Sequence, residues 1–325
     1  MNLELKSTFK PAIALRNGHL QTLFPALFRK LKSPKVEIET FELSDGDFLE
    51  CYWYEKPQEH EHKDIVILFH GLAGSFDSPY IGGMMHALKA AGKSSVVMHF
   101  RGTSGKMNRK ARSYHSGETG DAKAWCETLS KRYPNSRLCG VGYSLGGNML
   151  LKLLGEWGEH SPLYKAVSVS APMQLDICVK RMNIGFSKVY QSHLMKNLKR
   201  LLIEKYNQHD MEKKIGISVK GVSKLQSFWE FDDIYTGPIH GFSGADDYYQ
   251  KSSSRQYLKT ITTPTLILHA LDDPFMTPQI VPDPSELSDS IELEISEHGG
   301  HVGFVGGSVL NPEYWLEKRI VQFLV

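Results

Sequence analysis

The sequence predicts an α/β protein with a mostly parallel central sheet, helices on both faces and one helical insertion. Two observations carry this. From Asp64 to Ser170, strand-length apolar runs alternate with helix-length stretches, and the runs are apolar throughout, as in strands covered on both faces. The alternation stops after Ala171-Pro172 and resumes at Thr265. A chain of 325 residues accommodates such a core with an insertion.

Val36–Leu43 and Phe48–Tyr54, rich in β-branched and aromatic residues, read as strands joined by the turn Ser44-Asp45-Gly46-Asp47. Strands over Asp64–Phe69, Ser94–Phe100, Arg137–Tyr143 and Lys165–Ser170 follow, separated by helices over Tyr80–Ala91, Thr119–Arg132 and Gly146–Trp157. Asp176–Tyr206 is a basic helical stretch, and a polar, aromatic-rich stretch follows it. Strands Thr265–Leu271 and Ile291–Ile295 and a helix over Pro312–Leu324 close the chain. This divides the chain into an extension packed on the core (1–35), a core (36–174 and 251–325) and a lid or cap insertion (175–250). In the extension, Leu20, Leu23, Phe24, Leu27, Phe28 and Leu31 have helical spacing, with Arg29, Lys30 and Lys32 at the end. Pro25 predicts two short turns there. Residues 20–32 read as a segment packed on the surface or, alternatively, as a peripheral membrane contact.

The chain has 41% hydrophobic and 23% charged residues, the balance of a globular core. A formal net charge of +2 excludes a nucleic-acid binder relying on a general positive field. Apolar runs such as Ile65–Phe69 are strand-sized, too short for the roughly 18 residues a spanning helix needs. Glu4, Lys6 and Lys10 interrupt any secretory h-region. Cys51, Cys126, Cys139 and Cys178 are widely spaced and form no zinc pattern, so they are expected as free thiols in a cytoplasmic protein.

The chemistry-bearing motif is Gly142-Tyr143-Ser144-Leu145-Gly146, between a strand and a helix. A serine on that sharp turn stands above the sheet beside a helix N-terminus. Side chains two residues either side would collide with the neighbouring strand and helix, hence the glycines. A dinucleotide fingerprint fails on spacing, because its third glycine would fall on Leu145. A serine nucleophile needs a base, and the base an orienting carboxylate. Asp272-Asp273-Pro274 follows strand Thr265–Leu271, and His298-Gly299-Gly300-His301 follows strand Ile291–Ile295, both on the rim that carries the serine. Asp273 is taken as the acid, with Asp272 and Asp176 as alternatives. His301 is taken as the base, with His298 as its rival. A His298/His301 metal pair lacks further ligands, and no metal or cofactor is expected. His70-Gly71-Leu72-Ala73-Gly74 follows strand Asp64–Phe69, and there the Leu72 N–H is the expected partner of the Leu145 N–H in an oxyanion hole. His70 is read as structural, and His60-Glu61-His62 as a solvated loop.

With these residues the chain resembles the α/β-hydrolase fold superfamily. More narrowly it is similar to the YheT-type hydrolases (AB hydrolase family 4), which include the animal abhydrolase-domain proteins 1, 2 and 3. The specific matches are Asn17-Gly18-His19-Leu20-Gln21-Thr22, Phe100-Arg101-Gly102 and Tyr114-His115-Ser116-Gly117-Glu118-Thr119. The elbow Gly142–Asn148, His240-Gly241-Phe242, Asp247-Tyr248-Tyr249, Asp272–Met276 and His298–Phe304 complete the set. Lys180–Ser223 matches least. The resemblance implies a Ser-Asp-His triad, mapped onto Ser144, Asp273 and His301, and carboxylesterase or lipase-like action on acyl esters. The expected enzyme is a metal-free serine hydrolase for a small acyl ester or lipid, with Met182, Ile184, Phe186, Phe228 and Trp229 as pocket-lining candidates. An acyltransferase using the same triad and a membrane-surface lipid-binding protein are the alternatives.

Overall fold

Eight strands form one sheet in the order β1-β2-β4-β3-β5-β6-β7-β8 in the computed structural model, which describes residues 7–58 and 61–325. They are β1 (Glu37–Glu42), β2 (Phe48–Tyr54), β3 (Ile65–Phe69), β4 (Ser94–Met98), β5 (Leu138–Tyr143), β6 (Leu163–Val169), β7 (Thr265–Ala270) and β8 (Ile291–Ser296). β1 and β2 pair antiparallel and β2 joins β4 antiparallel, whereas β4-β3-β5-β6-β7-β8 are parallel. Among the described residues no helix is long and apolar enough to cross a membrane. Glu4, Lys6 and His60 lie outside the described residues.

The sheet separates two apolar layers, and β3 shows how. Ile65, Ile67 and Phe69 point to one layer and Val66 and Leu68 to the other, the two-residue period of a strand buried on both faces. Helices α3 (Gly120–Arg132) and α4 (Leu145–Trp157) cover the first layer with Trp125, Leu129, Leu150 and Leu154. Helix α2 (Pro79–Ala90) and the C-terminal helix Trp315–Leu324 cover the second with Ile81, Met84, Leu88 and Ile320.

Three local expectations need correction. Helix α1 (Gly18–Phe28) is continuous through Pro25 rather than two turns. Its two ends are anchored: the Asn17 side chain accepts from the His19 and Leu20 amides, and Arg29 pairs with Glu317. These anchors outweigh the amide that Pro25 lacks. The basic stretch 176–206 is two helices, α5 (Leu175–Met182) and α6 (Ser187–Lys205), broken where Gly185 turns left-handed at φ 57°. Pro312–Tyr314 is a strand paired with Val305–Gly307, so the last helix begins at Trp315. A proline at the first residue of a short strand costs no ladder bond.

The segment between β6 and β7 is helical, from α5 to Ala245–Ser252. It is tied down at both ends of α6. Ser187 Oγ donates to the Pro274 carbonyl (2.6 Å). Buried Lys205 donates from Nζ to the Asn108 and Lys110 carbonyls (3.2 and 2.7 Å).

Arg101 organises the loops beneath. It binds Asp121 through two 2.6 Å hydrogen bonds and reaches Asp45 (2.7 Å) and Asp47 (2.8 Å). Arg101, Asp47 and Asp121 are almost wholly buried. Arg101→Leu leaves two buried carboxylates without their cation, so it is expected to lower stability by about 3–5 kcal/mol. Chemical denaturation checks this, and an unchanged midpoint would show that the network is dispensable.

Candidate active site

The rim at the C-terminal ends of the parallel strands collects the reactive side chains. Ser144 follows β5, the 70–74 loop follows β3, Asp273 follows β7, and His301 follows β8. Three side chains and one backbone loop, from four separate segments, therefore meet where a parallel sheet leaves its crevice.

Ser144 has φ 51° and ψ −119°, a strained conformation for a residue with a side chain. Its amide donates to the Val169 carbonyl (2.8 Å), and its carbonyl accepts from Asn148 (3.0 Å), which pins the turn. The glycines are required by space. A Cβ on Gly142 would stand 2.4 Å from the Gly146 carbonyl oxygen, and one on Gly146 2.4 Å from that of Phe69.

His301 Nε2 lies 2.9 Å from Ser144 Oγ, and its Nδ1 2.8 Å from Asp273 Oδ2. Asp273 is buried, and its other oxygen accepts from the Phe275 amide (2.8 Å). The Phe275 ring stacks on the imidazole at 3.9 Å between centroids and 7° between planes. Asp272 turns away. It accepts from the Gly300 amide (2.8 Å) and faces His298 at 3.4 Å, and its burial raises its carboxyl above the ordinary range. Asp176 pairs on the surface with Lys180 (2.8 Å). The structure thus brings Ser144, His301 and Asp273 together, and leaves out Asp272, His298 and Asp176.

The loop after β3 is held by its neighbours. Tyr80 Oη accepts from the Gly71 amide (3.0 Å) and Tyr114 Oη from the Ala73 amide (2.9 Å). Between them, the Leu72 N–H has no partner among the described residues, and neither has the Leu145 N–H at the start of α4. His70 is buried, with its ring nitrogens against the Gly71 carbonyl (2.8 Å) and Thr103 Oγ1 (3.0 Å). Burial pushes its imidazole down to about 3, so it stays neutral near pH 7.

The roles of two contributors were not legible in the sequence. The Asn17–Thr22 motif is a clamp on the histidine loop. Thr22 Oγ1 accepts from the His301 amide (2.9 Å), and the Gln21 side chain bonds both the amide (2.6 Å) and the carbonyl (3.0 Å) of Val305. The other is Asp232, a carboxyl at the wall of a mainly apolar cavity, where Tyr249 Oη donates to it (2.8 Å). The resemblance marks Asn17–Thr22 but not its role, and no motif surrounds Asp232.

Two cavities flank Ser144. One, of about 110 Å³, is lined mainly by apolar side chains such as Leu145, Met182, Leu198 and Phe228, with His115, Thr236 and Asp232 among its polar ones. The other, of about 300 Å³, runs between α1 (Thr22, Ala26, Arg29) and α6 (His193, Asn197). Of the expected lining residues, Met182 and Phe228 face the first cavity. Ile184, Phe186 and Trp229 do not: they are exposed, the first two at the α5–α6 turn. Trp229 Nε1 donates to Asp246 (3.2 Å) on the outer surface.

An elbow of this construction, on a parallel sheet of this order, is that of an α/β hydrolase, and the chain belongs to that family. The family model described as alpha/beta hydrolase fold matches residues 64–308. Within it the chain is of the YheT type. YheT of Escherichia coli (strain K12), which carries a provisional esterase name, is 44% identical over 317 residues, 97% of this chain and 92% of that protein. Phospholipase ABHD3 of Mus musculus is 26% identical over 323 residues, 98% of this chain and 78% of that protein. The solved Pyrococcus furiosus esterase Pf2001 superposes with a TM-score of 0.56 at 17% identity, covering 89% of this chain and 92% of that one, a likeness of fold.

Asp273→Asn is expected to lower turnover by about 10⁴, because the amide favours the wrong imidazole tautomer while barely altering shape. Asp272→Asn is expected to act far more weakly. Steady-state kinetics of the two variants decide between them, and the reverse order would assign the acid to Asp272.

Asp232 sets a second expectation. An ordinary aspartate titrates near 3.9, and burial pushes this one up to about 7. The folded protein then holds the proton more tightly than the unfolded chain. The group's stabilising contribution is whole below about pH 4 and is lost as pH rises through about 7. The Tm advantage of Asp232→Asn over the parent should therefore widen from pH 4 to 7 and level off above 8. A constant difference would show that Asp232 is not buried as a neutral acid.

Proposed function

We propose that this ester hydrolase is a serine esterase acting on acyl esters of apolar acids through Ser144, His301 and Asp273. The observation that carries the reading is the continuous chain from Ser144 Oγ to His301 Nε2 (2.9 Å) and from His301 Nδ1 to Asp273 (2.8 Å). His301 takes the Ser144 proton as Oγ attacks the ester carbonyl. The Leu72 and Leu145 N–H groups hold the tetrahedral oxyanion. His301 then protonates the leaving alcohol, and water repeats the cycle on the acyl-enzyme. Asp273 fixes the tautomer and stabilises the imidazolium.

The two cavities suggest how the substrate divides. The apolar cavity suits the acyl chain, and the larger one, with the Arg29–Glu317 ion pair in its wall, suits the alcohol. In this reading the segment 175–250 is the lid. A phospholipase among the relatives supports a lipid ester as substrate. Four free cysteines fit a reducing compartment, the ground for placing the enzyme in the cytoplasm.

A fluorophosphonate probe is expected to add once, at Ser144, by intact-mass analysis. Ser144→Ala should abolish the adduct and lower turnover of a chromogenic ester by roughly 10⁴–10⁶. Labelling that persists in Ser144→Ala would overturn the assignment.

A further inference from the structure

The apolar residues that the fold leaves uncovered are not scattered. Of the fifteen large hydrophobic side chains exposed among the described residues, eight lie on two short segments. Ile13, Leu20, Leu27, Phe28 and Leu31 are on or beside α1, and Ile184, Phe186 and Val189 are at the α5–α6 turn. The segments touch: the His19 ring lies 5.0 Å from Phe186, and its Nδ1 is 3.1 Å from Tyr190 Oη. Single exposed hydrophobics need no explanation, but a contiguous set marks an interaction surface.

Charge is segregated on the same two segments. Residues 7–36 contain six basic side chains and no acidic one, and residues 177–203 again six and none, although Arg29, Lys180 and Arg200 among them are paired with Glu317, Asp176 and Glu204. The rest of the chain must then be net acidic, since the whole carries only +2. Lys30, Lys32, Lys188 and Lys196 are exposed and make no ion pair among the described residues. A second copy of the chain would bring the same positive charge to this face, which disfavours self-association. An anionic surface is complementary.

The larger cavity is lined from one side by α1 and from another by α6, the helix that follows the α5–α6 turn. Thr22, Ala26 and Arg29 face that cavity from α1, whereas Leu20 and Leu27, seven residues apart, lie on the opposite side of the helix. A helix apolar on its outer face and flanked by lysines has the composition of one that lies in a bilayer interface.

We propose that α1 and the α5–α6 turn form a docking surface for an anionic lipid bilayer, with the larger cavity opening beside it. The apolar side chains enter the headgroup boundary while Lys30, Lys32, Lys188 and Lys196 meet the lipid phosphates. An ester dissolved in the bilayer then reaches Ser144 without crossing bulk water. That last step rests on the esterase reading; the docking does not.

The test uses full-length Ser144→Ala protein, so that binding is read apart from turnover, and sedimentation with phosphatidylcholine vesicles with or without 30% phosphatidylglycerol. Binding to the anionic vesicles is expected to be at least about tenfold tighter and to weaken in high salt. Leu27→Ser/Phe28→Ser and, separately, Lys188→Glu/Lys196→Glu should each weaken it about tenfold or more. Placed in the active enzyme, both pairs should leave kcat/KM on a soluble short-chain ester and the Tm unchanged. Equal binding to both vesicle types, no binding to either, or full binding by both double variants overturns the proposal. So does a dimer, seen by light scattering, that Leu27→Ser/Phe28→Ser dissolves. If the nucleophile assignment alone is wrong, Ser144→Ala keeps its turnover and the vesicle result stands.

Discussion

In the proposed mechanism the position of one imidazole is the constraint on which the site depends, because proton transfer works only across hydrogen-bond distances. His301 sits in a strained loop. Gly299, Gly300, Val302 and Phe304 all have positive φ, a costly conformation for a β-branched valine. Such a loop persists only when its surroundings over-determine it. Asp273 holds Nδ1, Phe275 covers the ring, Thr22 accepts the His301 amide, and Ser170 Oγ accepts that of Val302 (3.1 Å). The glycines are needed for close approach as well as for conformation. A Cβ on Gly300 would stand 2.4 Å from the Gly18 carbonyl oxygen, and one on Gly303 2.3 Å from that of Gln21.

This explains which parts of the site could be read from the sequence. The elbow is legible because its constraint is local: strand, serine and glycines lie within five residues. The candidate acid and base are legible because strand ends place them on one rim, and the sequence already favours Asp273; the geometry adds that Asp273 faces His301 whereas Asp272 faces His298. The clamp is illegible because Thr22 and His301 are 279 positions apart. The resemblance flagged Asn17–Thr22 without saying what it does. Asp232 gave no signal, since only folding brings it to the cavity wall beside Tyr249.

The sheet was legible for a related reason. Continuous apolar runs can be buried only on both faces, which forces helices above and below. Where the reading failed, tertiary contacts outweighed local preference. Pro25 stays inside a helix whose ends are anchored, and Pro312 begins a strand because Val305–Gly307 is there to pair with. Ile184 and Phe186 looked like pocket residues by composition. The left-handed turn at Gly185 instead carries them to the outside.

Helix α1 links these features, and its geometry makes the linkage obligatory. Successive residues turn by about 100° around a helix, so fixing one side chain fixes the direction of the rest. Thr22 must face the histidine loop to accept the His301 amide, and Arg29, seven positions on, then falls on the same side, against Glu317 and the cavity. That choice leaves Leu20 and Leu27 directed away from the core. A helix needed only as a clamp could carry polar residues at those two positions without disturbing Thr22 or Arg29. The apolar outer face is therefore not a by-product of holding the histidine, and it calls for a separate physical cause, which burial within the monomer does not supply.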